Sequence, residues 1–130
     1  MKFPIAILKS NESPIYVFNE NEFGLVSKGG ESFYKRGVVY DSEGIKFLLD
    51  GIAFIKKAPT LMSLKYFQQM YKVSVNSIPG EGVTLVEFKK IIIDHINLFN
   101  KYWIKKDLIK SLEDSINGKN NFSEIIKYLK

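Results

Sequence analysis

The sequence of 130 residues contains no cysteine, which excludes disulfides, thiolate nucleophiles and zinc–thiolate sites. His95 is the only histidine, Arg36 the only arginine and Trp103 the only tryptophan. Apolar runs are short, as at residues 91–93, and fall well below the roughly 18 residues that a membrane-spanning helix needs. We therefore expect no cofactor, no metal ion and no membrane partner.

The N-terminal stretch MKFPIAILKSNE does not match a signal peptide. It has one lysine and a short apolar run, and no small-residue cleavage site follows. The composition is that of an ordinary globular chain, with 45% hydrophobic and 25% charged residues. We expect a cytoplasmic protein made of a single domain that spans residues 1–130.

The charge is unevenly distributed along the chain. The net charge is +5, and all the basic residues except Arg36 are lysines. Residues 51–80 contain Lys56, Lys57, Lys65 and Lys72 and no acidic residue, with aromatic residues between the lysines. Two interpretations remain open for this acid-free stretch: it faces an acidic partner or a phosphate backbone, or its aromatics are core and its lysines the solvated edge.

The first half of the sequence predicts strands. Short apolar, β-branched or aromatic runs alternate with turn signals such as Gly29-Gly30 and DSEG at 41–44, while Asp50-Gly51 indicates a bulge or a turn. The predicted strands cover residues 3–9, 14–19, 23–28, 37–40, 45–49 and 52–57, and residues 31–36 can form a return strand after the Gly29-Gly30 turn.

The second half predicts helices after one more strand at 71–76, which we expect Pro79 to end. Residues 60–71, with Thr60 as a candidate cap, fit a helix or a strand. Thr84 and Glu87 form a capping box, and apolar residues at spacings of three and four follow it. Two later helices are predicted, at 107–117 with Asp107 as cap and Gly118 as stop, and at the C-terminus with Ser123 as cap.

Runs of strands followed by runs of helices indicate an α+β fold. We expect an antiparallel β-meander of about five or six strands in the N-terminal half, packed by two to four helices from the C-terminal half.

The sequence offers little that favours catalysis. His95 lies beside an apolar stripe without an orienting acid in helical reach, which is typical of a half-buried structural histidine. The acidic pairs fall in turns or on exposed helix faces, where local hydrogen bonding is their usual role. The G-x-G of residues 80–82 lacks the rest of a phosphate-binding motif, and Glu81 between the glycines would repel phosphate. We expect a protein that is not an enzyme.

Interfaces combine aromatic anchors with charged rims, and this anatomy selects the candidate binding residues. They come from the acid-free stretch and from NKYWIKK at 100–106: Lys65, Tyr66, Tyr71, Lys72, Tyr102 and Trp103. For Trp103, a core position between two helices is an equal alternative.

Three segments resemble small immunity proteins of bacterial toxin systems: VYDSEGIKFLL at 39–49, YKVSVNSIPGEGVTLVEFKKIIIDHI at 71–96 and NNFSEIIKYLK at 120–130. The last is similar to the short helix that closes such proteins. The resemblance implies a one-domain, cofactor-free protein that binds and blocks a toxin domain. Many such proteins are acidic and this chain is basic, so the toxin surface would be acidic or neutral.

A nucleic-acid-binding module is the alternative function. It would use lysines that share one face, namely Lys56, Lys57, Lys65, Lys72, Lys101, Lys105 and Lys106. A third alternative is a structural or interaction role in a bacterial α+β protein.

Overall fold

The computed structural model describes residues 1–10, 14–66, 68–98 and 106–130. In chain order its elements are β1 (Ile5–Leu8), β2 (Tyr16–Phe18), β3 (Leu25–Ser27), a 3₁₀ helix (Gly30–Lys35), β4 (Val38–Tyr40), β5 (Ile45–Lys57), α1 (Thr60–Lys65), β6 (Met70–Gly82), α2 (Leu85–Leu98), α3 (Lys106–Asn117) and α4 (Phe122–Tyr128).

The described strands form one antiparallel sheet in the order β2-β1-β4-β5-β6-β3. The α+β class and the antiparallel sheet followed by helices are confirmed. Chain order and sheet order agree for the β1–β2 hairpin and for the β4-β5-β6 run. Strand β3 leaves this succession, because it pairs with β6 at the far edge of the sheet.

Helices α2, α3 and α4 cover one face of the sheet. Alternate residues of β1, Ala6 and Leu8, point to this side and form the helix-side core. The buried residues of this core are Ala6, Leu8, Ile15, Tyr40, Phe88, Ile92, Ile96, Ile116, Ile125 and Ile126. Helix α2, which follows the predicted capping box, contributes three of these side chains and contacts both later helices.

The opposite face carries an aromatic core that the 3₁₀ helix closes. Ile5 and Ile7, the other half of β1, contribute to it together with Tyr34, which is 1% exposed. The Tyr34 ring meets Phe23 and Phe33 edge-to-face at centroid distances of 5.3 and 5.2 Å. The Gly24 N–H donates a hydrogen bond to the Tyr34 hydroxyl at 2.8 Å, which satisfies this buried polar group.

The predicted strand at 31–36 is wrong, because this segment lies mostly within the 3₁₀ helix. Gly29 precedes that helix with a φ of 84°, a left-handed conformation that glycine adopts without strain. Burying Tyr34 against the other aromatic rings outweighs the strand propensity of the segment.

Pro79 does not end the last strand, contrary to the sequence-based expectation. Strand β6 continues to Gly82, and Phe47 pairs with Pro79 while Ile45 pairs with Gly82. A proline is tolerated where its missing N–H is not needed by a neighbouring strand. Asp50-Gly51 is a bulge within the continuous strand β5, where the register shifts between Leu49 and Ile52.

The helix caps agree with the sequence at α2 and differ at the other helices. The Glu87 N–H donates to Thr84 Oγ1 at 3.1 Å, as the capping box predicts. The expected caps Thr60, Asp107 and Ser123 instead lie inside α1, α3 and α4. At α4 the cap is Asn121, whose Oδ1 accepts from the Glu124 N–H at 2.9 Å.

Helix α3 ends at Asn117, and the Gly118 N–H donates to the Asp114 carbonyl at 3.1 Å, so Gly118 is the predicted stop. No helix in the described part of the chain is long and apolar enough to cross a membrane.

Candidate protein-binding surface

The β5–β6 hairpin is longer than the strands beside it. Strand β4 pairs with β5 only between Lys46 and Leu48, and β3 pairs with β6 only between Met70 and Lys72. Past Leu48, β5 keeps β6 as its neighbour as far as the pair Lys57–Tyr71. This end of the hairpin therefore lies away from the layer of helices on β1 and β4.

Helix α1 joins the two long strands and is fixed at the start of β6 by Ser63. The Ser63 hydroxyl accepts hydrogen bonds from the Met70 N–H at 3.1 Å and from Gln69 Nε2 at 3.2 Å. The Ala58 N–H donates to the Met70 carbonyl at 2.9 Å and closes the hairpin just before the helix. The short helix is thus held in one orientation against the strand.

This orientation leaves two leucines in solvent. Leu61 is 82% exposed and Leu64 is 64% exposed. Residues three apart on a helix lie on the same face, so the two leucines form one apolar surface. We call the exposed side chains of α1 and of the adjoining ends of β5 and β6 the hairpin tip; it consists of Leu61, Leu64, Tyr66, Lys56, Lys57, Lys65 and Lys72.

The charges of the hairpin tip are all positive. Its lysines are exposed, and Lys56 stands directly opposite Lys72 across the β5–β6 pairing. Like charges at directly opposite positions destabilise a sheet. Residues 51–80 supply no carboxylate to offset this repulsion, so an acidic group from outside the hairpin would be favoured here.

Among the described residues, the Glu22 carboxylate is close enough to Lys65 for the two charges to interact. Glu22 has its pKa lowered, first by the Asn19 N–H that donates to it and then by Lys130 and Lys65. Its main cationic partner is Lys130, whose Nζ lies 3.3 Å from Glu22 Oε1. Glu22 therefore already forms an ion pair with Lys130, the last residue of the chain, and offsets the positive charge of Lys65 only in part.

The structure brings part of the sequence-predicted binding set together. Lys65 and Tyr66 follow one another at the end of α1, with Lys65 Nζ 5.6 Å from the centre of the Tyr66 ring. Lys72 belongs to the same tip, whereas Tyr71 is half-buried against the aromatic core. Tyr102 and Trp103, the remaining predicted residues, lie outside the described residues.

The lysines of the nucleic-acid alternative divide in a similar way. Those at positions 56, 57, 65 and 72 gather at the hairpin tip. Lys101 and Lys105 lie outside the described residues, and Lys106 is the first residue of α3.

Leu61 and Leu64 were not expected at a binding surface, because their helical spacing is also that of a core-facing stripe. The signal available in the sequence was the lack of acids in 51–80, which marked the same region. The structure adds that α1 has only six residues and so has little area with which to cover a core.

The structure also places the residues that the sequence analysis considered for catalysis. His95 is half-buried in α2, as expected. Asp41 is 2% exposed and accepts from the backbone N–H groups of Lys2, Glu43 and Ile45, so this turn acid organises its turn. Within the described ranges, no three His, Cys, Asp or Glu side chains are grouped to hold a metal ion.

No family model matches the chain, and no match was found among curated proteins or solved structures. The resemblance to immunity proteins therefore stays a prediction from the sequence.

Proposed function

We propose that this protein binds another protein through the hairpin tip, and that the partner surface is apolar at its centre and acidic around it. The observation that carries the proposal is the exposure of Leu61 and Leu64 on one face of α1, together with the exposed Lys56, Lys57, Lys65 and Lys72 in α1 and in the strand ends that it joins. Isolated exposed leucines are ordinary, but two on one anchored helix face, in a hairpin end whose charged side chains are all positive, are a typical recognition surface.

The energetics fit such a role. Burying a leucine side chain contributes about 1.5–3 kcal/mol, so the two leucines supply a central anchor. Lysines at the rim add little affinity by themselves, but they steer an acidic partner and reject a basic one. A partner carboxylate placed between Lys56 and Lys72 would also relieve their mutual repulsion.

In its specific form, the proposal is an immunity- or antitoxin-like inhibitor that acts in the cytoplasm by covering a toxin domain. Such a protein needs a rigid surface and neither a cofactor nor a catalytic residue. A hairpin whose end is fixed by Ser63 supports this role, because a preformed surface loses little conformational entropy on binding.

The experiment compares two positions that are equally accessible. The photo-cross-linker p-benzoylphenylalanine replaces Leu61 in one variant and Val86, which is 78% exposed on α2, in the other. After irradiation in the native cells, the expected result is an acidic protein cross-linked from position 61 and absent from position 86. Identical products from both positions would contradict the proposal.

Binding to nucleic acid is the alternative that the four lysines favour. It is separated by fluorescence anisotropy with a random-sequence oligonucleotide at increasing salt. Electrostatic binding would weaken steeply with salt and would depend on the lysines but not on the leucines. Such a result, together with no acidic protein partner, would replace the proposed function.

A further inference from the structure

A second feature, separate from the hairpin tip, is a groove of about 630 Å³ between the end of β1, the end of the 3₁₀ helix and the paired strands β4 and β5. This volume lies within the usual range of small-molecule sites. Its floor is apolar and includes Leu8, Val38 and Leu49. The groove shares no residue with the hairpin tip.

The charges that line this groove are all positive among the described residues. Lys9 comes from the end of β1, and Lys35 and Arg36 come from the end of the 3₁₀ helix. Ser10 and Ser32 add hydroxyl groups. Three cations from two separate segments thus converge on one cavity with an apolar floor.

The structure gives defined contacts for the side chain of Lys9 and for the backbone next to Arg36. Lys9 Nζ donates to the Phe33 carbonyl and lies 4.0 Å from the centre of the Phe33 ring, so its ammonium is held on Phe33, next to Ser32 of the groove lining. Arg36 precedes Gly37, whose φ is 151° and whose added Cβ would lie 3.2 Å from Leu49 Cδ1 and 3.3 Å from Ile7 Cγ2. Other residues rarely adopt this φ, so glycine lets the chain pass close to Leu49 and Ile7 at the position that follows Arg36.

Arg36 is the only arginine of the chain, and a guanidinium binds phosphate and carboxylate groups through paired hydrogen bonds. We propose that this groove binds a small organic anion, a phosphate or carboxylate joined to an apolar group. The anionic head lies against Arg36 and Lys35 with Lys9 nearby, and the apolar part lies on the floor of the groove. This site is independent of the proposed protein-binding function.

The test is a ¹H–¹⁵N NMR titration of the protein with phenyl phosphate. Saturable shifts are expected at the amides of Ser10, Ser32 and Gly37. Inorganic phosphate and phenol are expected to bind more weakly than phenyl phosphate, because each lacks one half of the ligand. A parallel titration with benzoate identifies whether a phosphate or a carboxylate is the preferred head group.

Variants assign the binding to the groove. Arg36→Gln and Lys35→Gln should each weaken phenyl phosphate binding, by about tenfold for Arg36→Gln. Lys28→Gln, an exposed lysine outside the groove, should leave the affinity unchanged. The same spectra report whether each variant is folded. The absence of saturable shifts at millimolar ligand, shifts centred elsewhere, or equal effects of Arg36→Gln and Lys28→Gln would overturn the proposal.

Discussion

Lys56 and Lys72 lie directly opposite each other on β5 and β6, and both are exposed. This pair is the clearest sign that the hairpin is not optimised for stability alone. An oppositely charged residue at either position would be better for the isolated sheet. The pair makes sense if an acidic partner completes it.

Replacing Lys72 by glutamate should therefore stabilise the free protein. Lys72→Glu converts a repulsive pair into an attractive one, and we expect the free energy of unfolding to rise by about 0.2–1 kcal/mol in low salt. Urea denaturation measures the change. Lys28→Glu is the matched control, since Lys28 is exposed and lies outside the strand pairs. A loss of stability in Lys72→Glu would contradict the repulsion that we infer between Lys56 and Lys72.

Gly44 and Gly51 separate the cost of backbone strain from that of a steric clash. Their φ angles are nearly equal, at 80° and 81°, but a Cβ on Gly44 would lie 2.5 Å from the Phe122 ring whereas one on Gly51 meets nothing within 4 Å. We expect Gly51→Ala to cost about 1–2 kcal/mol through its left-handed backbone alone. Gly44→Ala should cost a further 1–3 kcal/mol or so, because Phe122 must move. Equal losses in thermal or urea unfolding would show that the contact with α4 is not tight.

Asp41 should be one of the most sensitive positions in the turn between β4 and β5. Its carboxylate accepts three backbone N–H groups, at 3.1 Å from Lys2, 3.0 Å from Glu43 and 2.9 Å from Ile45. Asp41→Ala leaves these donors without their acceptor and should cost about 3 kcal/mol or more.

Asp41→Asn keeps one acceptor oxygen and should cost less. Asp50→Ala, at an exposed acid in the neighbouring strand, is the control and should have a small effect. A similar loss in Asp41→Ala and Asp50→Ala would contradict the role of the carboxylate.

Stability should fall in alkaline solution because of two buried tyrosines. Burial raises the pKa of Tyr34 and Tyr40 above the ordinary value of 10.0. Below that pH the folded and the unfolded chain both keep the phenolic protons, so the stabilisation from burying the neutral tyrosines is fully present. Above it the unfolded chain loses the proton first, and the free energy of unfolding falls as the pH rises toward the folded-state pKa.

The Tyr34→Phe variant tests this assignment in two ways. It leaves the buried Gly24 N–H without its acceptor, which should cost about 1–3 kcal/mol at neutral pH. It should also make the alkaline loss of stability shallower than in the unmodified protein. Unfolding curves between pH 8 and about pH 11.5 give both quantities. An unchanged alkaline slope would assign the pH dependence to other groups.

The features that the sequence predicted well are those set by neighbouring residues. The cap at Thr84, the apolar spacing of α2 and the turn at Asp41 each depend on a few adjacent positions, and all are confirmed. Features that depend on distant residues were missed. Strand β3 pairs with β6 rather than with a sequence neighbour, and the segment 31–36 folds around Tyr34 because the aromatic core receives that ring.

For the candidate site, too, the sequence predicted what depends on neighbouring residues and missed what depends on the fold. The acid-free stretch was visible in the sequence, so the lysines of the hairpin tip were identified in advance. Which apolar residues accompany them was not visible, since helical spacing alone does not distinguish a stripe that faces a core from one that faces solvent. In the structure Tyr71 is half-buried against the aromatic core, whereas Leu61 is exposed on α1, the helix that Ser63 anchors.

The most direct test of the hairpin tip as a protein-binding surface is calorimetric titration of the purified partner, identified from position 61, into three forms of the protein. These are the unmodified chain, the double variant Leu61→Ser/Leu64→Ser and the control Val86→Ser. We expect the double variant to lose at least about 2 kcal/mol of binding free energy, roughly thirtyfold in affinity, while the control binds as the unmodified chain does. Equal affinity for all three forms would contradict the account.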